Sequence, residues 1–232
     1  MTVILQARMN SQRLPGKVLK EVQGKPLLQY TIDRLRQSLH PLRIVVATSD
    51  ETSDDPVAAY CRGNEIEVFR GELENVAARY RAVIQHYQLP AFVRVTGDSP
   101  LIDSQLIDAG IDSFATGQFD LVTNVYPRSF PKGQSFEVLR AETFLEAVPL
   151  MRDAAQREHV TQYFYQNAGN YRIYNVASNT GNFSEENLSV DTADDFERFR
   201  QVISDPQRPV MDNNWEEILK LYQKMDQHEC AN

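Results

Sequence analysis

Cysteine is scarce in this 232-residue chain: there are two, Cys61 and Cys230, far apart and without metal-ligand spacing around them. Neither a disulfide framework nor a zinc site is therefore suggested, and a reducing, cytoplasmic setting is the expectation. Long apolar runs are missing too, since none approaches the roughly 18 residues of a membrane span. The opening segment VILQA is too short for a signal-peptide core and runs into polar and basic residues, so no membrane association is expected. Positive charge is in deficit: 24 Lys and Arg against 32 Asp and Glu leave a formal net charge of -8. Such a chain repels polyanions at long range, which argues against nucleic acid as a partner. Neither GxxxxGK[ST] nor GxGxxG occurs, which removes the Walker loop and the dinucleotide fingerprint. No Ser/His/Asp or Cys/His triad is evident. No internal repeat, low-complexity tract or linker divides the chain. With 42% hydrophobic residues, 1–232 reads as a single domain with its own core, its 227–232 tail frayed.

What is present is an alternation of short β-branched segments with amphipathic ones. VILQA from Val3 precedes KPLLQYTIDRLRQSL from Lys25, and RIVVAT from Arg43 precedes DDPVAAYCRGN from Asp54. EVFRG from Glu67, NVAARYRAVIQHY from Asn75, AFVRVTGD from Ala91 and SQLIDAGIDSFA from Ser104 continue it. Strand, helix, strand, helix predicts parallel strands with right-handed crossovers: an α/β fold with a doubly wound, mostly parallel sheet. RIVVAT is nearly all apolar, as a strand covered on both faces must be. After DLVTNV from Asp120 the pattern loosens into YPRSFPKGQSFEVL, whose prolines and Gly133 mark turns before a strand at 135–139. Residues 125–140 therefore read as a small mid-chain β-hairpin or edge insertion. Helices follow at AETFLEAV and REHVTQYFYQN, a strand at RIYNVA from Arg172, a helix capped by Thr192 and Asp195, and a last helix from Trp215.

In open α/β sheets ligands bind beyond the carboxyl ends of the strands. The loop after the first strand, RMNSQRLPGK, puts Arg8, Arg13 and Lys17 there. A triphosphate carries about four negative charges and is held by guanidinium forks and backbone N–H groups. A solvated basic loop is the plainer alternative. At the end of VRVTGDSPLID, Asp98 would face those phosphates, and Pro100 keeps the chain from continuing regularly into the sheet. Mg²⁺ takes one or two carboxylates plus phosphate oxygens and water, so Asp98 needs a partner elsewhere, with Asp191 before a helix as the candidate. A turn aspartate and a residue beside a helix cap are the plain alternatives for the two.

The segment QARMNSQRLPGKVL closely resembles the signature loop of the CMP-sugar synthetase-like (CMP-KDO synthetase-like) cytidylyltransferases, specifically the spore coat polysaccharide biosynthesis protein F branch. GKPLL, VVATSD, DDPVAAYC, VFRG, RVTGDSPLID, REHVT and SVDTADDF follow in family order. The resemblance implies a Rossmann-like, GT-A-like nucleotidyltransferase fold, CTP as substrate and Mg²⁺ as cofactor. It assigns the metal to Asp98 and Asp191, and the nucleotide to Gln6, Ala7, Arg8, Arg13, Lys17, Ala47, Thr48, Ser49, Arg79, Thr96 and Gly97. Arg79 lacks the acidic neighbour the family often has, Ala78 standing there, and an exposed helical arginine is its alternative; Thr48 and Ser49 equally suit a turn. The acceptor side would be Lys132, Glu137, Arg157, Glu158 and His159, although GQSFEV departs from the branch's acidic GLDVEV.

The implied reaction is Mg²⁺-dependent transfer of CMP from CTP to an acidic sugar or phosphate-bearing acceptor with release of pyrophosphate, in which Arg8, Arg13, Lys17 and Asp98 are catalytic. A nucleotide-sugar-dependent glycosyltransferase on the same fold and a non-catalytic nucleotide-binding regulator are the rival readings. Related enzymes are commonly homodimers; the apolar FEVL suits burial against a second copy or under the chain's own helices.

Overall fold

The computed structural model describes residues 1–204 and 210–229, so Cys230 and the last residues of the tail lie outside the described residues. A seven-stranded sheet organises them. Its first four strands are β1 (Thr2–Gln6), β4 (Arg43–Ser49), β5 (Glu67–Gly71) and β6 (Ala91–Thr96), and the others are β7 (Leu121–Thr123), β8 (Glu137–Arg140) and β9 (Ile173–Asn175). A separate two-stranded ribbon, β2 (Glu21–Val22) with β3 (Lys25–Pro26), turns on Gln23 and Gly24, both at positive φ. The sheet order is β5-β4-β1-β6-β8-β7-β9. Pairings are parallel throughout except for β8, which is antiparallel to both β6 and β7. The 125–140 segment turns back at a Val125–Arg128 bridge, and its returning strand inserts between β6 and β7 instead of remaining on the rim.

Helices cover both faces because successive strand residues point to opposite sides. On one face Val3, Leu5, Val46 and Val93 pack with α1 (Leu27–Leu35), α2 (Asp55–Gly63) and α4 (Ser104–Ala115). On the other, Ile4, Val45 and Phe92 pack with α3 (Val76–Tyr87) and α5 (Ala141–Ala147). Each such aliphatic or aromatic side chain taken from water contributes ~1.5–3 kcal/mol. FEVL is covered from within: Phe136, Glu137, Val138 and Leu139 are all buried, Phe136 against Gly110 of α4.

The helix expected over REHVTQYFYQN is broken into α6 (Ala154–Glu158) and α7 (Gln162–Gln166). The reason is tertiary: Val160 is completely buried at φ 35°, a strained angle for a β-branched residue, and Thr161 turns inward to donate to Glu137. Two more helices close the chain, α8 (Ala193–Ser204) and α9 (Trp215–Glu229). The expected cap of α8 is present, with Thr192 N donating to Asp195 Oδ2 at 2.8 Å and Asp195 N to Thr192 Oγ1 at 3.1 Å. The tail expected to fray from 227 is helical as far as Glu229. The helix expected from Lys25 starts at Leu27, because Lys25 and Pro26 belong to the ribbon.

Candidate active site

A cavity of about 250 Å³ opens at the carboxyl ends of β1 and β6. Its wall includes Gln6, Ala7, Arg8 and Lys17 from the first loop, and Thr96, Gly97 and Asp98 from the end of β6. Glu158 and His159 close it from α6. All of these are residues that the sequence assigns to the site. Asn10, Ser11, Val18 and Arg94 also line it.

The loop is shaped by its own backbone. Ser11 N and Gly16 N both donate to the Met9 carbonyl at 2.9 Å, and Gly16, at φ 70°, reverses the chain into a short 3₁₀ turn over Lys17–Leu19. That φ favours glycine, and it sends Lys17 inward. The ends of β1 and β6 are also pressed together. Gly97 N donates to the Gln6 carbonyl at 2.8 Å, and a Cβ on Gly97 would lie 3.1 Å from that oxygen.

Lys17 Nζ is the electrostatic centre, 3.1 Å from Asp98 Oδ2 and 2.6 Å from Asp191 Oδ1. Thr96 Oγ1 steadies Asp98 at 2.7 Å, and Asp191 N is held by the α8 cap through Asp195 at 3.0 Å. A backbone bond from Val190 N to the Asp98 carbonyl, 2.9 Å, ties the two aspartate segments together. Arg13 reaches Asp191 Oδ2 at 3.1 Å from an exposed position. Burial pushes the Asp191 pKa up, but the Lys17 hydrogen bond and the Lys17 and Arg13 charges outweigh it and hold the carboxyl below its ordinary value.

Among the described residues no group of three or more His, Cys, Asp or Glu converges as a metal cage. Two carboxylates meeting on one cationic point do fit Mg²⁺, which completes its shell with water and substrate phosphates. Asp98 and Asp191 would be its protein ligands.

Each cation of the first loop therefore meets a carboxylate, so the loop is not a bare basic cluster. Arg8 donates through Nη2 to Glu158 and through Nη1 to the Leu73 carbonyl at 3.0 Å. Arg79 is not an exposed helical arginine: it is completely buried, donates to the Glu72 carbonyl at 2.5 Å, and leaves Nε and Nη2 without protein partners. Burial, with the Arg8 charge adding to it, brings its pKa down to about 10.

Ala47, Thr48 and Ser49 end β4 in full burial. The Ala47 carbonyl accepts from Ala7 N at 3.2 Å, Thr48 Oγ1 has no protein partner, and Ser49 is taken by Asp54, which accepts from its N–H at 3.0 Å and from its hydroxyl. The same Asp54 accepts from Met9 N at 2.7 Å, a link that sequence reading missed by taking Asp54 only as a helix start.

The expected acceptor residues do not all gather. Glu158 and His159 face the cavity, but Arg157 is exposed on α6 with Nε on the Met151 carbonyl at 3.3 Å. Lys132 is exposed on the hairpin, its backbone N–H on the Glu186 carbonyl at 2.9 Å. Glu137 is buried behind the cavity wall, where it binds Arg94 of β6. The signal for Arg94 was legible: in RVTGD it shares a face of β6 with Thr96 at period two, next to the turn that carries Asp98.

A family model described as Cytidylyltransferase matches residues 2–229. The spore coat polysaccharide biosynthesis protein SpsF of Bacillus subtilis (strain 168) is 34% identical over 207 residues, 86% of this chain and 84% of that protein. The 3-deoxy-manno-octulosonate cytidylyltransferase of Photobacterium profundum is 34% identical over 125 residues, 53% of this chain and 49% of that one. Among solved structures, a cytidylyltransferase from Leptospira borgpetersenii serovar Hardjo-bovis superposes with a TM-score of 0.90 at 28% identity, covering 97% of this chain and 95% of that chain.

Proposed function

Because this chain belongs to the cytidylyltransferase family and is a nucleotidyltransferase, we propose that it transfers CMP from CTP to an acidic sugar or sugar-phosphate-like acceptor, releasing pyrophosphate, in the cytoplasmic synthesis of a surface polysaccharide precursor. One observation carries the reading: a loop lysine sits between two carboxylates from distant segments, Asp98 and Asp191, at the end of a cavity bordered by Arg8. Cationic donors for a polyphosphate and ligands for a divalent cation thus meet at one point.

The chemistry is attack of an acceptor oxygen on the α-phosphorus of CTP, in line with the bond to pyrophosphate. The new O–P bond forms as the old one breaks, and the electron pair leaves with pyrophosphate. Such a reaction needs alignment and neutralised charge, not a protein nucleophile. Arg8, Arg13 and Lys17 supply donors to the departing pyrophosphate, and Arg79, buried with two unpartnered nitrogens, supplies further donors toward the nucleotide. The Gln6 and Gly97 backbone, packed without a side chain between them, keeps the strand ends close beneath the phosphates. Mg²⁺ on Asp98 and Asp191 would neutralise phosphate charge and favour the ionised acceptor oxygen. Glu158 and His159 form the acceptor-side wall.

The test is pyrophosphate release from CTP, UTP, ATP and GTP in the presence of acidic sugars and sugar phosphates, with and without EDTA. Acceptor-dependent release from CTP, abolished by EDTA and by Asp98→Asn with the circular dichroism spectrum unchanged, is expected. Full activity in Asp98→Asn would remove the metal assignment. Release from another triphosphate in place of CTP would overturn the nucleotide assignment.

A further inference from the structure

Asp98, after β6, and Asp191, before α8, stand on unequal footings. The segment after Asp98 is fastened to the body of the fold. Buried Arg34 of α1 donates from Nε to the Ile102 carbonyl at 2.8 Å, and Asp103 accepts at 2.9 Å both from Gln105 N in the first turn of α4 and from Trp215 N at the start of α9. The segment before Asp191 lacks such a frame. Between β9 and α8, residues 176–192 form no helix and no strand beyond an isolated Lys132–Asn187 bridge. Leu188 and Val190 enter the core, but apolar burial is non-directional, so hydrogen bonds must set the course of this backbone.

Those bonds come from the hairpin. Phe183 N donates to the Ser129 carbonyl at 2.8 Å, Lys132 N to the Glu186 carbonyl at 2.9 Å, and Leu188 N to the Lys132 carbonyl at 2.8 Å. Gly133 then crosses the 188–189 peptide so closely that a Cβ on it would lie 2.6 Å from both Leu188 C and Ser189 N, and its φ of 88° favours glycine as well. The next residue turns to the other aspartate. Gln134 is completely buried; its Oε1 accepts from Asp103 N and its Nε2 donates to the Leu101 carbonyl, both at 2.8 Å. Its amide thus grips the Asp98 segment while Lys132 and Gly133 hold the Asp191 segment. Asn124 fixes the turn, donating to the Gln134 carbonyl at 2.6 Å and accepting from Phe136 N at 3.1 Å. Gln134 is also one of the residues by which GQSFEV departs from GLDVEV, and it belongs to this footing, not to the cavity wall.

We propose that Gly133 and Gln134 are positioning residues for the divalent cation, the hairpin turn acting as a clip that sets the separation of Asp98 and Asp191. The proposal rests on the reading above, in which these two aspartates ligate Mg²⁺. Mg²⁺ demands near-ideal octahedral geometry at ~2.0–2.1 Å, so carboxylates from two separate segments serve it only when their spacing is held. Without the clip, one backbone bond, from Val190 N to the Asp98 carbonyl, is left to join the two segments.

The experiment is a calorimetric titration with cytidine α,β-methylene triphosphate, which cannot release pyrophosphate, in Mn²⁺ and again in EDTA. The ratio of the two affinities measures what the cation adds. In the wild type Mn²⁺ should tighten binding. Gln134→Met, similar in length but without hydrogen-bonding groups, and Gly133→Ala should each reduce that gain by about ten-fold or abolish it, as loss of a support to a metal ligand does, with the affinity in EDTA unchanged. Phe144→Leu, in the core on the other face of the sheet, is the control: it should lower Tm and keep the gain.

A wild type that does not bind the analogue, or binds it equally in Mn²⁺ and EDTA, overturns the nucleotide or metal reading, and the proposal falls with it. A wild-type gain that survives in Gln134→Met and Gly133→Ala, a gain that Phe144→Leu loses as well, or an affinity in EDTA that falls as far as the affinity in Mn²⁺ overturns the clip alone.

Discussion

Replacing Arg79 with Met should stabilise the free protein and weaken its hold on CTP. Arg79 is buried with its stem against Gly71, and it has one good acceptor, the Glu72 carbonyl at 2.5 Å. Its pKa falls to about 10, chiefly through burial. At about 1.4 kcal/mol per pH step, holding that charge costs the folded state about 3 kcal/mol. Two unpartnered donors, at ~1–3 kcal/mol each, give a similar figure. Methionine removes the cost and fills most of the volume, but loses a charged hydrogen bond worth ~1.5–3 kcal/mol.

The net gain is about 1 kcal/mol, a rise in Tm of ~2–4 °C for a chain of this length. A base whose folded pKa is lowered bears its full penalty at any pH below that value and is relieved only above it. The gain should therefore be equal at pH 6 and pH 8. Thermal unfolding with and without CTP, together with calorimetric CTP titration, checks both halves. The reasoning is refuted if the variant is less stable without nucleotide, or if its CTP affinity is not reduced by about ten-fold or more.

Gly97→Ala puts a Cβ 3.1 Å from the Gln6 carbonyl oxygen and 3.3 Å from Ala7 Cβ, so unfolding should be easier by ~1–3 kcal/mol and KM for CTP higher; an unchanged Tm would show that the strand ends can part without strain. Because the Asp191 pKa is depressed, its ion pairs contribute above the ordinary value of 3.8 and are lost as pH falls through the lower folded value. Lys17→Met should therefore raise that pKa in a carboxyl carbon NMR titration, and an unmoved titration would contradict the pairing. Glu158→Gln removes the carboxylate that engages Arg8 and should tighten CTP binding about two- to five-fold, on the scale of a partly exposed ion pair; weaker binding would mean that Glu158 aids the nucleotide.

Much of the sheet was legible because its signals are local. The RIVVAT and EVFRG strands start and end within a residue or two of where their apolar runs do, and Thr192 and Asp195 announce the start of α8. What the sequence could not reveal depends on contacts between distant segments. Nothing in FEVL says that it enters the sheet between β6 and β7, since that is decided by pairing with Ala91–Arg94 and Leu121–Thr123. Nothing in REHVTQ marks the break at Val160, which follows from burying Val160 and turning Thr161 toward Glu137. Spacing brought Arg8, Arg13 and Lys17 to one loop, yet the carboxylates that meet them come from residues 98, 158 and 191. Glu137 was expected at the acceptor and Arg79 at the nucleotide, and burial, which a lone sequence does not display, changes what each can do.

Asp54 couples two kinds of recognition that are usually thought of as adjustable one at a time. One oxygen holds Met9 in the phosphate-side loop and the other holds Ser49 at the end of β4, on the side where the base would be read. A change that shifts β4 to admit a different base would pull on the loop that grips the phosphates. Altered base preference should then come with altered turnover, and a laboratory lineage selected for a new nucleotide would be expected to repair the tether between positions 9, 49 and 54 before it recovers speed.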